Sequence, residues 1–188
     1  MFKSFMVNTP KAALSLTDFT ADSPWEPRPA TDVGAVPDGL IDGVTLTPIV
    51  AHSDERGSLS ELLTTRDAPI EPIVHVYQVT SMAGSIRAWV YHRKQFDRLA
   101  FINGRFKIVL YDIRPGSPSA NRVNVLVLGS ERPALLCIPP LVIHGVGNIG
   151  AETATFVNLP TRAYDPRDPD KCRLRVSDPR MPFRFDDL

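Results

Sequence analysis

From residue 43 to about residue 158 the chain runs as short period-two segments cut by glycine and proline, and this restricts it to an all-β architecture. The segments are 44–50, 58–63, 73–79, 86–92, 99–102, 105–111, 123–128, 134–138 and 153–158. In each, residues i and i+2 share a face, so one side of a sheet can be buried. No stretch carries an apolar helical stripe longer than about two turns. Pro48 suits an edge or a bulge, since proline donates nothing to a ladder. Asn103-Gly104 supplies the positive φ angles of a type I′ turn and predicts a hairpin between 99–102 and 105–111. Many short strands at regular spacing predict a jelly roll. Residues 1–40 lack this rhythm. Pro24, Pro27 and Pro29 exclude an interior helix there, so 1–40 is predicted to be an extended or partly disordered arm, and 41–188 the domain.

The charge balance narrows the function. Lys+Arg and Asp+Glu both number 21. Such a chain has no global field to gather polyanions, which argues against nucleic acid. An anion site would have to be a local cluster of arginines. Cys137 and Cys172 suit a reducing compartment, and a cytoplasmic location is expected. No apolar run approaches the roughly 20 residues of a membrane span, and the N-terminus lacks a signal-peptide pattern.

Two stretches carry candidate chemistry. In the first, Gly84 is followed by Val90, His92, Asp97 and Gly104. In the second, Pro139 and Pro140 precede His144 and Asn148. Their spacing and order resemble the two sequence motifs of cupin barrels, the double-stranded β-helix form of the jelly roll. Val90 stands in a histidine slot, Asp97 in a glutamate slot and Leu141 in a glycine slot. Strand parity puts Val90 and His92 on one face, which in a cupin is the interior. A metal set would reduce to His92, Asp97 and His144, with a valine wall beside the ion, and no metal is expected. His144 also reads as a hydrogen-bonded structural histidine.

A wider set of residues resembles the dTDP-4-dehydrorhamnose 3,5-epimerase family, in particular its shorter branch. It comprises Asp54-Glu55-Arg56-Gly57 with Glu61, Arg87, the run from Tyr111 to Pro118, Ile138-Pro139-Pro140, His144-Gly145, and the ending from Asn158 to Asp165 with Asp168-Pro169-Asp170. The resemblance implies a metal-free, cofactor-free homodimer that acts on a nucleotide-linked 4-keto-6-deoxy sugar. A base removes a proton beside the ketone, and an acid returns one on the other face. Arg56, Glu61 and Arg87 match slots for substrate contacts. Read alone, Arg56 and Glu61 suit a surface ion pair. Arg98 stands where a lysine near the substrate is usual. His144 and Asn158 are further expected substrate contacts, Asn158 occupying the slot of a proposed acid tyrosine. Tyr164 matches a second family tyrosine and is the expected acid. Val90 replaces the catalytic histidine, and valine cannot abstract a proton. His92, on the same face, is the expected replacement base. Longer family members carry an aspartate near the C-terminus that orients the histidine of the Val90 slot, and the tail here offers no clear equivalent. The alternative is a nucleotide-sugar- or ligand-binding cupin without catalysis.

Overall fold

The computed structural model describes residues 20–21, 39–66 and 70–185. The expected arm over 1–40 therefore lies outside the described residues, apart from 20, 21, 39 and 40. The described chain forms β1 (Thr45–Pro48), β2 (Ala51–Asp54), β3 (Gly57–Ser60), β4 (Tyr77–Ser81), β5 (Ile86–His92), β6 (Asp97–Phe101), β7 (Arg105–Asp112), β8 (Val123–Gly129), β9 (Ala134–Ile138), β10 (Val142–Asn148), β11 (Ala154–Asn158) and β12 (Lys171–Arg173). Among the described residues there is no α-helix. Two five-stranded antiparallel sheets, ordered β1-β9-β6-β11-β4 and β12-β5-β10-β7-β8, face each other as a cupin-type jelly roll. The β2–β3 ribbon pairs with neither.

Side-chain parity builds the core. Along β7, Phe106, Ile108 and Leu110 point between the sheets, where Phe106 meets Phe101 and Phe156 at ring-centroid distances of 5.2 and 5.5 Å. Val109 points the other way, into a cluster with Trp89, Met181 and Phe185. The C-terminal segment thus covers the outer face of the second sheet. Leu62 and Leu63 pack with Ile49, Ala100 and Leu159 on the outer face of the first. Central strands are therefore covered on both faces: every residue of β6 and β10 is buried.

The Asn103-Gly104 turn is present, but the predicted hairpin is not. Gly104 takes φ 72°, as the turn requires. β6 then pairs with β9 and β11, whereas β7 pairs with β10 and β8. The turn carries the chain across the core from one sheet to the other. Phe101 and Phe106, on either side of it, both pack inward, so flat pairing of the two strands gives way to burial of both rings.

Several boundaries also differ from the sequence reading. β3 stops at Ser60, because Leu62 and Leu63 turn to pack on Ile49. The run 73–79 enters a ladder only at Tyr77. Pro48 lies at the end of β1, an edge strand, as its missing donor requires. β12 was not anticipated. Its three residues pair with β5, placing Lys171 opposite His92 and Arg173 opposite Val90.

Candidate functional site

The inner face of β5 is set by an irregularity in its pairing with β10. His144 pairs with Val90, but Val146 pairs with Arg87, so β5 holds an extra residue opposite Gly145. Simple alternation would turn Arg87 away from Val90. The bulge returns both to one face, a common use of bulges near functional sites. Arg87 is held by Ser81 Oγ at 3.3 Å from its Nε and by the Thr80 carbonyl at 2.9 Å from Nη2. Trp89, on the opposite face, is buried against Phe185 and donates its indole N–H to the Val176 carbonyl at 3.2 Å.

Three buried groups converge where β5, β6 and β10 meet. Asp97 Oδ2 lies 3.3 Å from His92 Nε2 and 3.3 Å from His144 Nε2. Its other oxygen accepts from Gln95 Nε2 at 2.8 Å and Asn158 Nδ2 at 3.1 Å. Burial alone would push the Asp97 carboxyl up. The two imidazoles outweigh that and hold it well below the usual carboxylate range. His144 Nδ1 lies 3.2 Å from the Val142 carbonyl. His92 Nδ1 faces Asp170 Oδ2 at 3.8 Å, and Asp170 is fixed by the backbone N–H groups of Lys94 and Gln95 at 3.2 and 2.9 Å. Asp170 is thus a tail carboxylate placed beside His92. Among the described residues, His92, Asp97 and His144 form the group whose ligand atoms lie close enough to hold a metal ion.

Two cavities border this cluster. One, of about 370 Å³, lies between the sheets and is lined by Tyr77, Arg87, Val90, Asp97, His144, Asn158, Lys171 and Arg173, among others. The second, of about 290 Å³, opens beside His92, Lys94, Tyr164, Asp168 and Asp170. Tyr77, Lys171 and Arg173 line both. Among the described residues the Lys171 ammonium pairs with no carboxylate. Burial pushes it below the usual lysine range, against the pull of Asp97 and with help from Arg173 and Arg87. The Tyr77 hydroxyl accepts from Asn158 Nδ2 at 2.8 Å. Burial pushes this phenol up, with the Asp97 charge adding to it.

The structure brings together Arg87, His144 and Asn158 in the inter-sheet cavity, and sets His92 at its edge with both ring nitrogens turned toward carboxylates. His92, the expected replacement base, lines the second cavity with Tyr164 and not the inter-sheet cavity, and its Nδ1 has no hydrogen-bond partner. Tyr164 lies in the second cavity, 65% exposed. Arg98, expected as a substrate contact, lines neither cavity. It points away from Asp97 by strand parity and spends its guanidinium on the carbonyls of Leu159, Glu71 and Pro72 at 2.6, 2.9 and 3.2 Å. Arg56 sits on the β2–β3 ribbon, its side chain 83% exposed, and pairs with Asp54. Glu61 pairs with Arg66. Neither reaches the cavities of this chain, and they do not pair with each other as read from sequence alone.

Sequence reasoning missed Tyr77, Lys171, Arg173 and Asp170. The alternation of polar and apolar residues from Lys171 to Arg175 was a usable strand signal. Nothing local could pair Tyr77 with Asn158, which are opposite each other in the β4–β11 ladder. That pairing matters because Asn158 stands in a tyrosine slot: the neighbouring strand returns a phenol to the same place.

Comparison with known proteins adds a family. The family model described as dTDP-4-dehydrorhamnose 3,5-epimerase matches residues 39–187. The chain is 34% identical over 146 residues to the spore coat polysaccharide biosynthesis protein SpsL of Bacillus subtilis, covering 78% of this chain and 97% of that protein. It is 32% identical over 137 residues to the probable low-salt glycan biosynthesis epimerase Agl13 of Haloferax volcanii, covering 71% and 87%. Among solved structures, a dTDP sugar isomerase from Desulfovibrio desulfuricans superposes with a TM-score of 0.71 at 24% identity, covering 76% of this chain and 90% of the other, a likeness of fold.

Proposed function

The chain belongs to the dTDP-4-dehydrorhamnose 3,5-epimerase family, and we propose that it epimerises a nucleotide-linked 4-keto-6-deoxy sugar in the inter-sheet cavity. The observation that carries this reading is the grouping of Arg87, Lys171 and Arg173 in one cavity with Tyr77, Asn158 and His144. Arginines suit a diphosphate, because a guanidinium offers paired donors to phosphate oxygens. Asn158 lines the same cavity, and its Oδ1 is buried without a hydrogen-bond partner.

With Val90 in the usual base slot, proton transfer falls to groups that face the cavity. Lys171 is the proposed base, since burial lowers its affinity for a proton. Tyr77 is the proposed acid: it accepts from Asn158, so its own O–H is free to donate, and burial keeps it protonated. The base takes a proton from the carbon beside the ketone, the electron pair moves to the keto oxygen, and the acid returns a proton to the opposite face. Tyr164, at the mouth of the second cavity, suits contact with the nucleotide end better than proton transfer.

Incubating the protein with a dTDP-linked 4-keto-6-deoxy sugar in deuterated water tests this. Deuterium at C3 or C5 is the expected result. Tight binding without exchange would replace it with the non-catalytic reading.

The family resemblance also supports a homodimer, as does the β2–β3 ribbon, which pairs with neither sheet and leaves Leu59 exposed. Light scattering at micromolar concentration is expected to give twice the chain mass of 20.8 kDa; a monomer mass would overturn it.

A further inference from the structure

We propose that an apolar groove on the outer face of the second sheet is the docking site for residues 23–29 of the same chain, with Trp25 as the side chain it takes. The groove, of about 390 Å³, is lined by Trp89, Tyr91, Tyr111, Ile113, Ile143 and Met181, among others. Trp89 forms part of its buried wall, whereas Ile113 is 47% exposed. An apolar hollow of this kind is unfavourable in water until something apolar fills it.

The chain itself leads to the groove. Residues 1–38 precede Gly39. Gly39 is held at β8, where its carbonyl accepts from Arg122 Nη1 at 2.9 Å and Asn124 Nδ2 at 3.2 Å. Val123, between those two residues, pairs with Tyr111 and packs in one apolar cluster with Ile143 and Met181. Apolar surface is thus continuous from the entry of the arm to the groove. The far wall, on β12, lies four strand spacings from β8, roughly 20 Å at about 4.8 Å each. Residues 30–38 can span roughly 28 Å when extended at about 3.1 Å each. Residues 23–29 therefore reach either wall.

The segment Ser23-Pro24-Trp25-Glu26-Pro27-Arg28-Pro29 suits such a surface. Its prolines favour the polyproline II conformation, which needs no ladder partner and has little backbone entropy left to lose. Extended proline-rich segments dock in grooves walled by aromatic rings, and Trp25 supplies a large, rigid anchor. Val90 and Arg173 line both this groove and the inter-sheet cavity, so the docked arm covers the outer side of a wall that the two share. The match to the family begins at residue 39, which makes the docking a property of this chain's own extension. It rests on the groove and the arm and not on the epimerase reading.

Acrylamide quenching of tryptophan fluorescence in the full chain is the test. The chain has two tryptophans, Trp25 and Trp89. Trp25→Phe reports Trp89 alone, and the difference from wild type is the Trp25 signal. Trp25 is expected to be quenched several-fold less steeply than free N-acetyltryptophanamide, at every protein concentration. Ile113→Glu should restore steep quenching of Trp25, with Trp89 still protected and the circular dichroism spectrum unchanged. Wild-type Trp25 as accessible as the free amide would overturn the proposal, and that measurement stands whether or not the variant folds. Protection that survives Ile113→Glu would also overturn it, because the arm would then dock elsewhere. Ile113→Glu and Trp25→Phe chains, unfolded and refolded together, separate the source of the arm. Trp25 should stay exposed in the mixture. Recovered protection would overturn docking within one chain and assign the groove to the arm of a second copy.

Discussion

Lys171→Met is expected to slow deuterium incorporation from solvent into the bound sugar by about 10²–10⁴-fold, the usual cost of losing a positioned general base. The side chain lines both cavities, has no carboxylate partner among the described residues, and lies opposite His92 in the β5–β12 ladder. Methionine keeps most of the volume, so the melting temperature should stay close to wild type. Lys171→Arg separates two roles. Arginine keeps the positive charge but does not give up its proton near neutral pH, so the rate should stay low although nucleotide-sugar affinity persists. Full recovery with arginine would mean that Lys171 acts only as a fixed charge. A wild-type rate in Lys171→Met would move the base elsewhere, with His92 the first to be tested.

Asp112→Ala is expected to cost about 3–5 kcal/mol of stability, seen as a lower urea midpoint, because it breaks a buried pair and strands the partners. The Asp112 side chain is fully buried. It accepts from Arg114 Nε and Nη2, both at 2.9 Å, and from Ser117 Oγ and Ser119 Oγ, both at 2.6 Å. Ser119 Oγ and Arg114 Nη2 in turn hold the backbone N–H and carbonyl of Asp42. One carboxylate therefore ties the end of β7, the 114–119 turn and the entry to the domain. A loss below about 1 kcal/mol would show that water replaces these bonds at little cost.

The same carboxylate sets an acid limit. Arg114 holds Asp112 well below the usual range despite burial, with help from Ser117 and Ser119. Asp97 is also held low, the imidazoles outweighing burial. For both groups the folded pKa lies below the unfolded value of about 3.9. Their stabilisation is thus fully present above that pH and is lost as pH falls through the folded values. Wild-type stability should drop steeply below about pH 4, and Asp112→Ala should show a shallower slope there. Equal slopes would remove Asp112 as a cause of the acid limit.

Much of this protein was legible because its signals are local. Period-two patterning determined an all-β chain, and β5 and β9 coincide with segments read from sequence. Motif order and strand parity brought His92 and His144 together, since alternation along one strand needs no knowledge of its neighbours. What only the tertiary structure decided depends on pairing between strands far apart in sequence. The Asn103-Gly104 turn looked like a hairpin because a turn records its own backbone angles and not the sheet that each strand joins. Arg98 matched a substrate slot, but parity beside inward Asp97 sends it outward to three carbonyls. Arg87 reaches the cavity only through the extra residue opposite Gly145. Tyr77 meets Asn158, and Lys171 meets His92, by registers set in ladders between strands about 80 residues apart. Register is set by which faces the packed sheets bury, and a slip of one residue would turn every such side chain away. The family could therefore be read from residue types in order, while the chemistry left after Val90 displaced a histidine could be read only from what the fold placed around it.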